Sequence, residues 1–422
     1  MRPRFRFAAA LTLAWISAAA VAQAAEPAAT LVVSAGSHER RDSLIQAEAP
    51  LEKLPSHLRQ AIERGPTSVM LRDQGEMVAA EADRGSSGSA RLTFFLPGTL
   101  AANGERKLTI DDSSAMAPAD SSWSLTRTEA GALDLKRGDR MVFRYNIAKV
   151  APPGSNPVQH RNAYIHPALS PKGSVITGDY SAAHTHHRGF FFAYAAAQSG
   201  KEKLDFWNLH RDSARIECES VDHVQTGPVV ARFSAHHAWK NKGGQVVLKE
   251  RWEIAAYDVP GSPYWLWDLT SVQQAVGQPL ELLPYRYGGM AYRGPDPFLK
   301  GPIDVLTNEK ANRKDADQKP ARWMDLTGPI VDGSTEFAGA MICDHPSNVN
   351  HPNTSRVHPT TLPFFAFTPA HYNNNEKPKI AIPVDRPLTL RYRVLIHDGH
   401  PDKARDEQVW RDFADPPQVK IE

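Results

Sequence analysis

The chain is 422 residues long, with 49 Lys+Arg, 47 Asp+Glu and a hydrophobic share of 41%. That balance supplies no basic field for nucleic acid and none for an anionic membrane surface. Two cysteines are too few for a stapled scaffold or a Cys-based zinc site.

In chain order, Arg2, Arg4 and Arg6 precede the apolar run "AAALTLAWISAAAVA", and Ala22-Gln23-Ala24 offers small residues at a cleavage point. These are the three parts of a secretory signal peptide over residues 1–25. Its removal leaves 46 basic against 47 acidic residues and places the mature chain in the periplasm or outside the cell. No later run approaches the roughly 20 apolar residues of a spanning helix. About 400 remaining residues can bury a large core and predict two domains, with a third open. In an oxidising compartment Cys218 and Cys343 could pair, but their separation is not readable from spacing.

Strand patterns dominate. "ARLTFFLPG", "RMVFRYNIA", "VVARFSAHHAW", "QVVLKERWEIAAY" and "LTLRYRVLIHDG" alternate or run apolar between Gly, Pro, Asn and Asp breaks. Across 246–256 the even positions are apolar except Glu250, which reads as a rim position on an edge strand. Two short helices are predicted. One lies in 51–65, with Leu54, Leu58, Ala61 and Ile62 on one face and Gly65 at its end. The other lies in 401–417, with Asp402 as cap, Val409, Trp410 and Phe413 as stripe, and Pro416-Pro417 as stop. "APPGSN" breaks the chain near 148–156 and divides a small β unit, 26–148, from a larger one, 149–422.

Histidine and aromatic density rises after that break, in four segments. They are "HRNAYIHPALSP" (His160, Arg161, Tyr164, His166), "DYSAAHTHHRGFFFAY" (Asp179, His184, His186, His187, Arg188), "YRYGGMAYRG" (Tyr285, Arg286, Tyr292, Arg293) and "DHPSNVNHPNTSRVHP" (Asp344, His345, Asn348, Asn350, His351, His358). A metal reading starts from His184 and His186, which at i, i+2 share a strand face. Its third ligand would come from His345, His351 or Asp344. Arg188, a permanent cation, stands against it. A carbohydrate reading uses aromatic faces, arginine forks and Asn, Asp and His as hydroxyl partners. "LDFWNLH" adds Trp207 and Asn208 to that supply.

"AYIHP", "HTHHRGFFFAY" with "DFW" after it, "ERWEI", "GGMAYR", "DHPSNVNHP" and "LRYRVLIHDG" follow one another in this order. Over roughly 145–415 the chain thereby resembles a bacterial family labelled PmoA-like, a domain largely of unknown function. The family more usually has Asp-His-Pro-His-His-Arg-Gly where this chain has Ala183 through Gly189, leaving Asp179 as the nearest acid. The membrane methane mono-oxygenase subunit behind that label spans the bilayer several times, and this chain has no such segments after its leader. The resemblance implies an all-β fold, a large galactose-mutarotase-like β-sandwich with a smaller N-terminal β domain, and a setting in glycan breakdown.

The expectation is a carbohydrate-active enzyme, a glycosidic-bond hydrolase or lyase. His186 or His187 would act as acid/base, Arg188 would bind a hydroxyl, carboxylate or oxyanion, and Asp344 with His345 would form the partner pair. Tyr164, His166, Trp207, Tyr292, Arg293, Asn350 and His351 would line the pocket. Hydrolases usually set two carboxylates across the bond. Only Asp344 and, distantly, Glu250 are candidates here, which tilts the expectation toward lyase or epimerase chemistry. The alternatives are a non-catalytic glycan-binding protein and a metal-dependent hydrolase. No cofactor is expected, though a divalent metal on His184, His186 and His351 stays open.

Overall fold

The computed structural model describes residues 29–422 except 87, 111–122, 183, 262, 311, 359, 361 and 374–378. The expected leader, residues 1–25, therefore lies outside the described residues, as does Ala183. Among the described residues no helix is long and apolar enough to cross a membrane.

The described residues fold mostly as β-structure. A nine-stranded sheet runs from Lys319–Pro320 at one edge to Trp123–Arg127 at the other, with Phe364–Thr368, Gly288–Arg293, Phe190–Tyr194 and Tyr164–Ala168 side by side in its middle. An eight-stranded sheet runs from Ala214–Thr226, through Val230–Asn241, Val246–Tyr257, Tyr264–Ala275 and Leu388–Asp398, to Asp304–Thr307. One core joins the two sheets, including Phe143, Phe190, Phe192, Trp239, Trp252, Trp267 and Tyr392. Burying each such aromatic contributes on the order of 2–3 kcal/mol. The expected large sandwich and the smaller N-terminal β unit are both present, the latter as a seven-stranded sheet with its own core.

The division between them is not at 148–156. Trp123–Arg127, Ala132–Arg137 and Arg140–Asn146 continue the nine-stranded sheet through Tyr164–Ala168, so they belong to the sandwich. The last strand, Gln418–Ile421, returns to pair with Ala29–Ser34 of the N-terminal sheet. Glu105–Ile110 is the last strand of the N-terminal sheet before Trp123–Arg127 opens the sandwich. Leu44 and Phe95 of the smaller unit pack on Tyr257, Leu266 and Leu395 of the eight-stranded sheet and on Val409 of the C-terminal helix. Buried Arg40 pins that helix by donating to Asp412 at 2.9 Å and to the Asp415 carbonyl at 2.7 Å.

Both helices form where their patterns predict. Ser56–Arg64 buries Leu58 and Ile62 and stops at Gly65. In Lys403–Ala414 the Asp402 side chain accepts from the Ala404 and Arg405 amides. Cys218 and Cys343 are free. Their strands are first and sixth in the eight-stranded sheet. Five inter-strand steps of about 4.8 Å put them roughly 24 Å apart, far beyond a disulfide's span.

Val246–Tyr257 alternates as expected, with Leu248, Trp252 and Ile254 buried. Glu250 is not at a rim. It is 3% exposed, and its strand is third in the sheet. Its oxygens accept from His237 Nδ1 (2.9 Å), Trp239 Nε1 (2.9 Å), Trp252 Nε1 (2.8 Å), Ser271 Oγ (2.5 Å) and Gln273 Nε2 (3.2 Å). Burial opposes the charge, but His237 and the other donors hold the carboxyl below its ordinary range.

Candidate active site

Side chains alternate across a strand. Phe190 and Phe192 point into the sandwich core, against Trp267 and Trp239. Phe191 therefore faces outward. Register places Ala291 and then Ala366 beside it on that outer face. Phe364, opposite Arg293, faces outward too. Small residues thus floor the middle of the sheet, and larger groups wall it.

The wall comes from the hairpin Asp179–Ser181/His184–Arg188. Gly189 makes the bend from it into Phe190–Tyr194. At φ +40° a Cβ there would meet the Ile165 carbonyl at 2.0 Å, so only glycine fits. The bend gathers the histidines. His184 and His187 stack at 5.0 Å, His186 and His187 meet at 4.6 Å, and His184 and His186 at 5.7 Å between ring centroids. His358 approaches His184 at 6.1 Å, and His210 approaches His186 at 5.9 Å. His187 is buried, stacked on Phe364 at 4.4 Å and edge-on to Trp207 at 5.8 Å. His184, His186 and His358 are half-buried and His210 is exposed.

A turn places Trp207. Asp205 accepts from the Trp207 and Asn208 amides at 3.0 and 2.8 Å and pairs with Arg211 at 2.9 Å. Asn208 accepts from the Tyr287 hydroxyl at 3.1 Å. Trp207 is sealed from solvent, so it walls the cleft rather than offering a stacking face. The half-buried pair Tyr285 and Tyr287, 4.9 Å apart, supplies the accessible rings.

Two arginines lie below. Arg188 donates to Asp179 at 2.8 Å and to the Gln159 carbonyl at 2.6 Å, while Tyr164 donates to the other Asp179 oxygen at 3.0 Å. Asp179 thus takes the acid's part beside Arg188. Arg161 lies 4.9 Å over the Phe191 ring. Burial, with His184, His210 and the two arginines, pushes His186 down to about 3. Burial and the neighbouring imidazoles push His187 well down too. Both are therefore held in the neutral form near pH 7.

Of the other expected site residues, Tyr292 and Asn350 lie elsewhere, while Arg293, opposite Phe364, borders the histidines and acts on His184 and His187, and His166 borders Asp179 and Arg188. Tyr292 points into the core, stacked on Phe190 at 4.8 Å, with its hydroxyl donating to the Ile176 carbonyl. Arg293 is buried, donating to the Gly294 carbonyl at 2.8 Å and to Asp296 at 3.2 Å. His166 is half-buried and bonded to Thr177 Oγ1 at 2.9 Å. Asn350 ties its loop to the Pro369 carbonyl at 3.0 Å.

Asp344 and His345 do not form a pair. Consecutive residues at a strand end point to opposite sides. His345 bonds Ser347, packs on Phe413 at 4.8 Å, and faces a groove of about 700 Å³ beside the N-terminal unit. Asp344 is fully buried and accepts from His351 (2.8 Å), Asn348 (2.8 Å) and the Asn353 amide (2.9 Å) and side chain. His351 stacks on Trp410 at 6.5 Å. Asn353 and His358 flank the strand Thr354–Val357. Five extended residues span about 16 Å, so the Asp344 cluster and the histidine cleft are separate places.

That removes His351 from the expected metal set. Among the described residues no group of three or more His, Cys, Asp or Glu is placed to hold a metal ion. Sequence reasoning did not assign Arg161, His210, Tyr287 or Phe364 to the site. Arg161, His210 and Tyr287 all stand in the segments "HRNAYIHPALSP", "LDFWNLH" and "YRYGGMAYRG". Their convergence depends on register and turns that spacing does not carry.

Residues 132–411 match the description "Family of unknown function (DUF6807)". The chain belongs to that family. The DUF6807 stretch takes in every histidine of the cleft as well as the Asp344 loop. No curated protein matches the chain. Among solved structures it is similar to a protein in the glycosyl hydrolase family 38 from Enterococcus faecalis, with a TM-score of 0.37 and 8% identity, covering 94% of this chain and 47% of that one. It is similar also to an alpha-mannosidase from Enterococcus faecalis V583, with a TM-score of 0.35 and 9% identity, covering 94% and 46%. The chain spans less than half the length of either. Likenesses this loose carry no argument about the site.

Proposed function

We propose that the histidine-lined cleft is the active centre of a secreted or periplasmic carbohydrate-active enzyme that breaks a glycosidic bond. One observation carries the reading. His184, His186, His187, His210 and His358 converge over an outward sheet face, and Trp207 links them to the half-buried rings of Tyr287 and Tyr285. Clustered imidazoles supply candidate proton-transfer groups, and tyrosine rings suit a sugar face. His186 is the general base, since it is half-buried where His187 is covered. His187 orders the cluster. The motif likeness to the PmoA-like family, with its expected mutarotase-like sandwich and glycan-breakdown setting, supports the same assignment.

The missing carboxylate pair bears on reaction type. Glu250 is sealed in the core, Asp344 is saturated by its own loop, and Asp179 is spent on Arg188 and Tyr164. That favours a lyase over a two-carboxylate hydrolase. The test is a panel of neutral and acidic glycans incubated with purified protein, read by new reducing ends and by ultraviolet absorbance of an unsaturated product. Turnover with an unsaturated product supports the lyase, and reducing ends without it support a hydrolase. Tight binding without turnover would replace the enzyme by a glycan-binding protein.

A further inference from the structure

Arg161 carries a buried charge with no carboxylate of its own. The residue is 3% exposed. Its Nη2 donates to the Phe192 carbonyl at 3.2 Å, while Nε and Nη1 are buried and meet no acceptor. Between them those two nitrogens hold three N–H donors. Asp179, the nearest acid acting on it, is already taken by Arg188 and Tyr164. Burial and the Arg188 charge push the guanidinium down to about 9, so the site holds two cations against one carboxylate. A buried charge kept without its counter-charge marks a place of function more often than one of stability.

The groups around it lack the same thing. Arg161 lies against the Phe191 ring, and Trp207 sits 4.7 Å and His187 6.0 Å from that ring. Trp207 Nε1 and His187 Nδ1 are buried without partners, as is His184 Nδ1 behind them. Guanidinium and indole nitrogens only donate, and a neutral imidazole can donate from one nitrogen. What is absent is an acceptor, and beside two arginines it is an acceptor with negative charge. A metal cation would meet the repulsion of Arg161 and Arg188 here.

We propose that the cleft takes an acidic sugar, with Arg161 as the residue that recognises its carboxylate. This rests on the carbohydrate reading of the same cleft and narrows it to uronate-type substrates. Carboxylate, sulfate and phosphate share the chemistry that Arg161 answers, so the three are separated by experiment.

Titration calorimetry of the whole protein would use glucuronate, glucose, sulfate and phosphate, with Arg161→Gln and Arg161→Lys compared by thermal melting. The expected result is binding of glucuronate at least 10-fold tighter than of glucose, with a loss of 30-fold or more in Arg161→Gln and partial recovery in Arg161→Lys, at a melting point near the parent's. Should Arg161→Gln fail to fold, Arg161→Lys and the parent's glucuronate–glucose contrast still decide. Equal binding of glucose and glucuronate, no binding of glucuronate, or glucuronate binding indifferent to Arg161 overturns the proposal. Glucose binding of that kind would leave the carbohydrate reading standing. Sulfate or phosphate bound through Arg161 with no sugar bound would keep the anion site and overturn the acidic sugar together with the carbohydrate reading.

Discussion

Glu250 and His187 are both buried polar groups on the sheets of one sandwich, at 3% and 4% exposure, and they live in opposite circumstances. Glu250 receives donors from His237, Trp239, Trp252, Ser271 and Gln273. His187 has an Nδ1 with no partner, among an indole and a guanidinium in the same state. A polar group whose bonds are all made inside the fold holds the fold together. Donors left open beside charged neighbours, as around His187, leave a place for a group the fold does not supply. The Asp344 loop belongs with Glu250, its carboxylate filled by His351, Asn348 and Asn353. Imidazole and carboxylate occur in both kinds of place, so residue type alone does not separate them.

The largest effect should come from the satisfied side. Glu250→Ala strands a buried imidazole, two indoles, a hydroxyl and an amide, and should cost about 3–5 kcal/mol in denaturant unfolding. A near-neutral result would end the contrast. On the other side, His186→Ala should shift unfolding by about 1 kcal/mol or less, yet lower turnover of a glycan substrate by roughly 100-fold or more. If its stability loss matched that of Glu250→Ala, the cleft would be structural as well.

Acid should touch the two regions differently. His186 is depressed from 6.5 to about 3, so the unfolded chain binds its proton first as pH falls. Its contribution to stability is complete above about pH 6.5 and is lost progressively on descent toward pH 3. Melting followed across that window should fall less steeply in His186→Gln than in the parent, by a proton uptake of about one per molecule. Identical slopes would mean the imidazole is not held neutral. The smallest effect lies outside both regions. Asp402→Ala, which removes the cap of the C-terminal helix, should cost about 1 kcal/mol and leave turnover alone.

Much of the fold was legible because its signals are local. Alternation located Val246–Tyr257 and chose its buried face, and the cap and stop residues bounded Lys403–Ala414. The His184–Arg188 stretch was visible as a concentration of imidazole. Pairing was not legible. Trp123–Arg127 through Arg140–Asn146 alternate as any strands do, and only hydrogen bonding to Tyr164–Ala168 assigns them to the sandwich. Glu250 read as a rim position because an acid on an apolar face is costly until its donors are known. Those donors come from the same face, from the cross-strand partner His237 and the indoles of Trp239 and Trp252. Asp344 drew attention by lying next to His345, yet chain neighbours on a strand look away from each other. Its real partner is seven residues on.

The most direct test compares turnover by His186→Ala and His345→Ala on one glycan that the parent cleaves, both variants matched for folding. The account predicts a loss of roughly 100-fold or more for His186→Ala and a change within about two-fold for His345→Ala. The opposite pattern, or full activity in both, would contradict it.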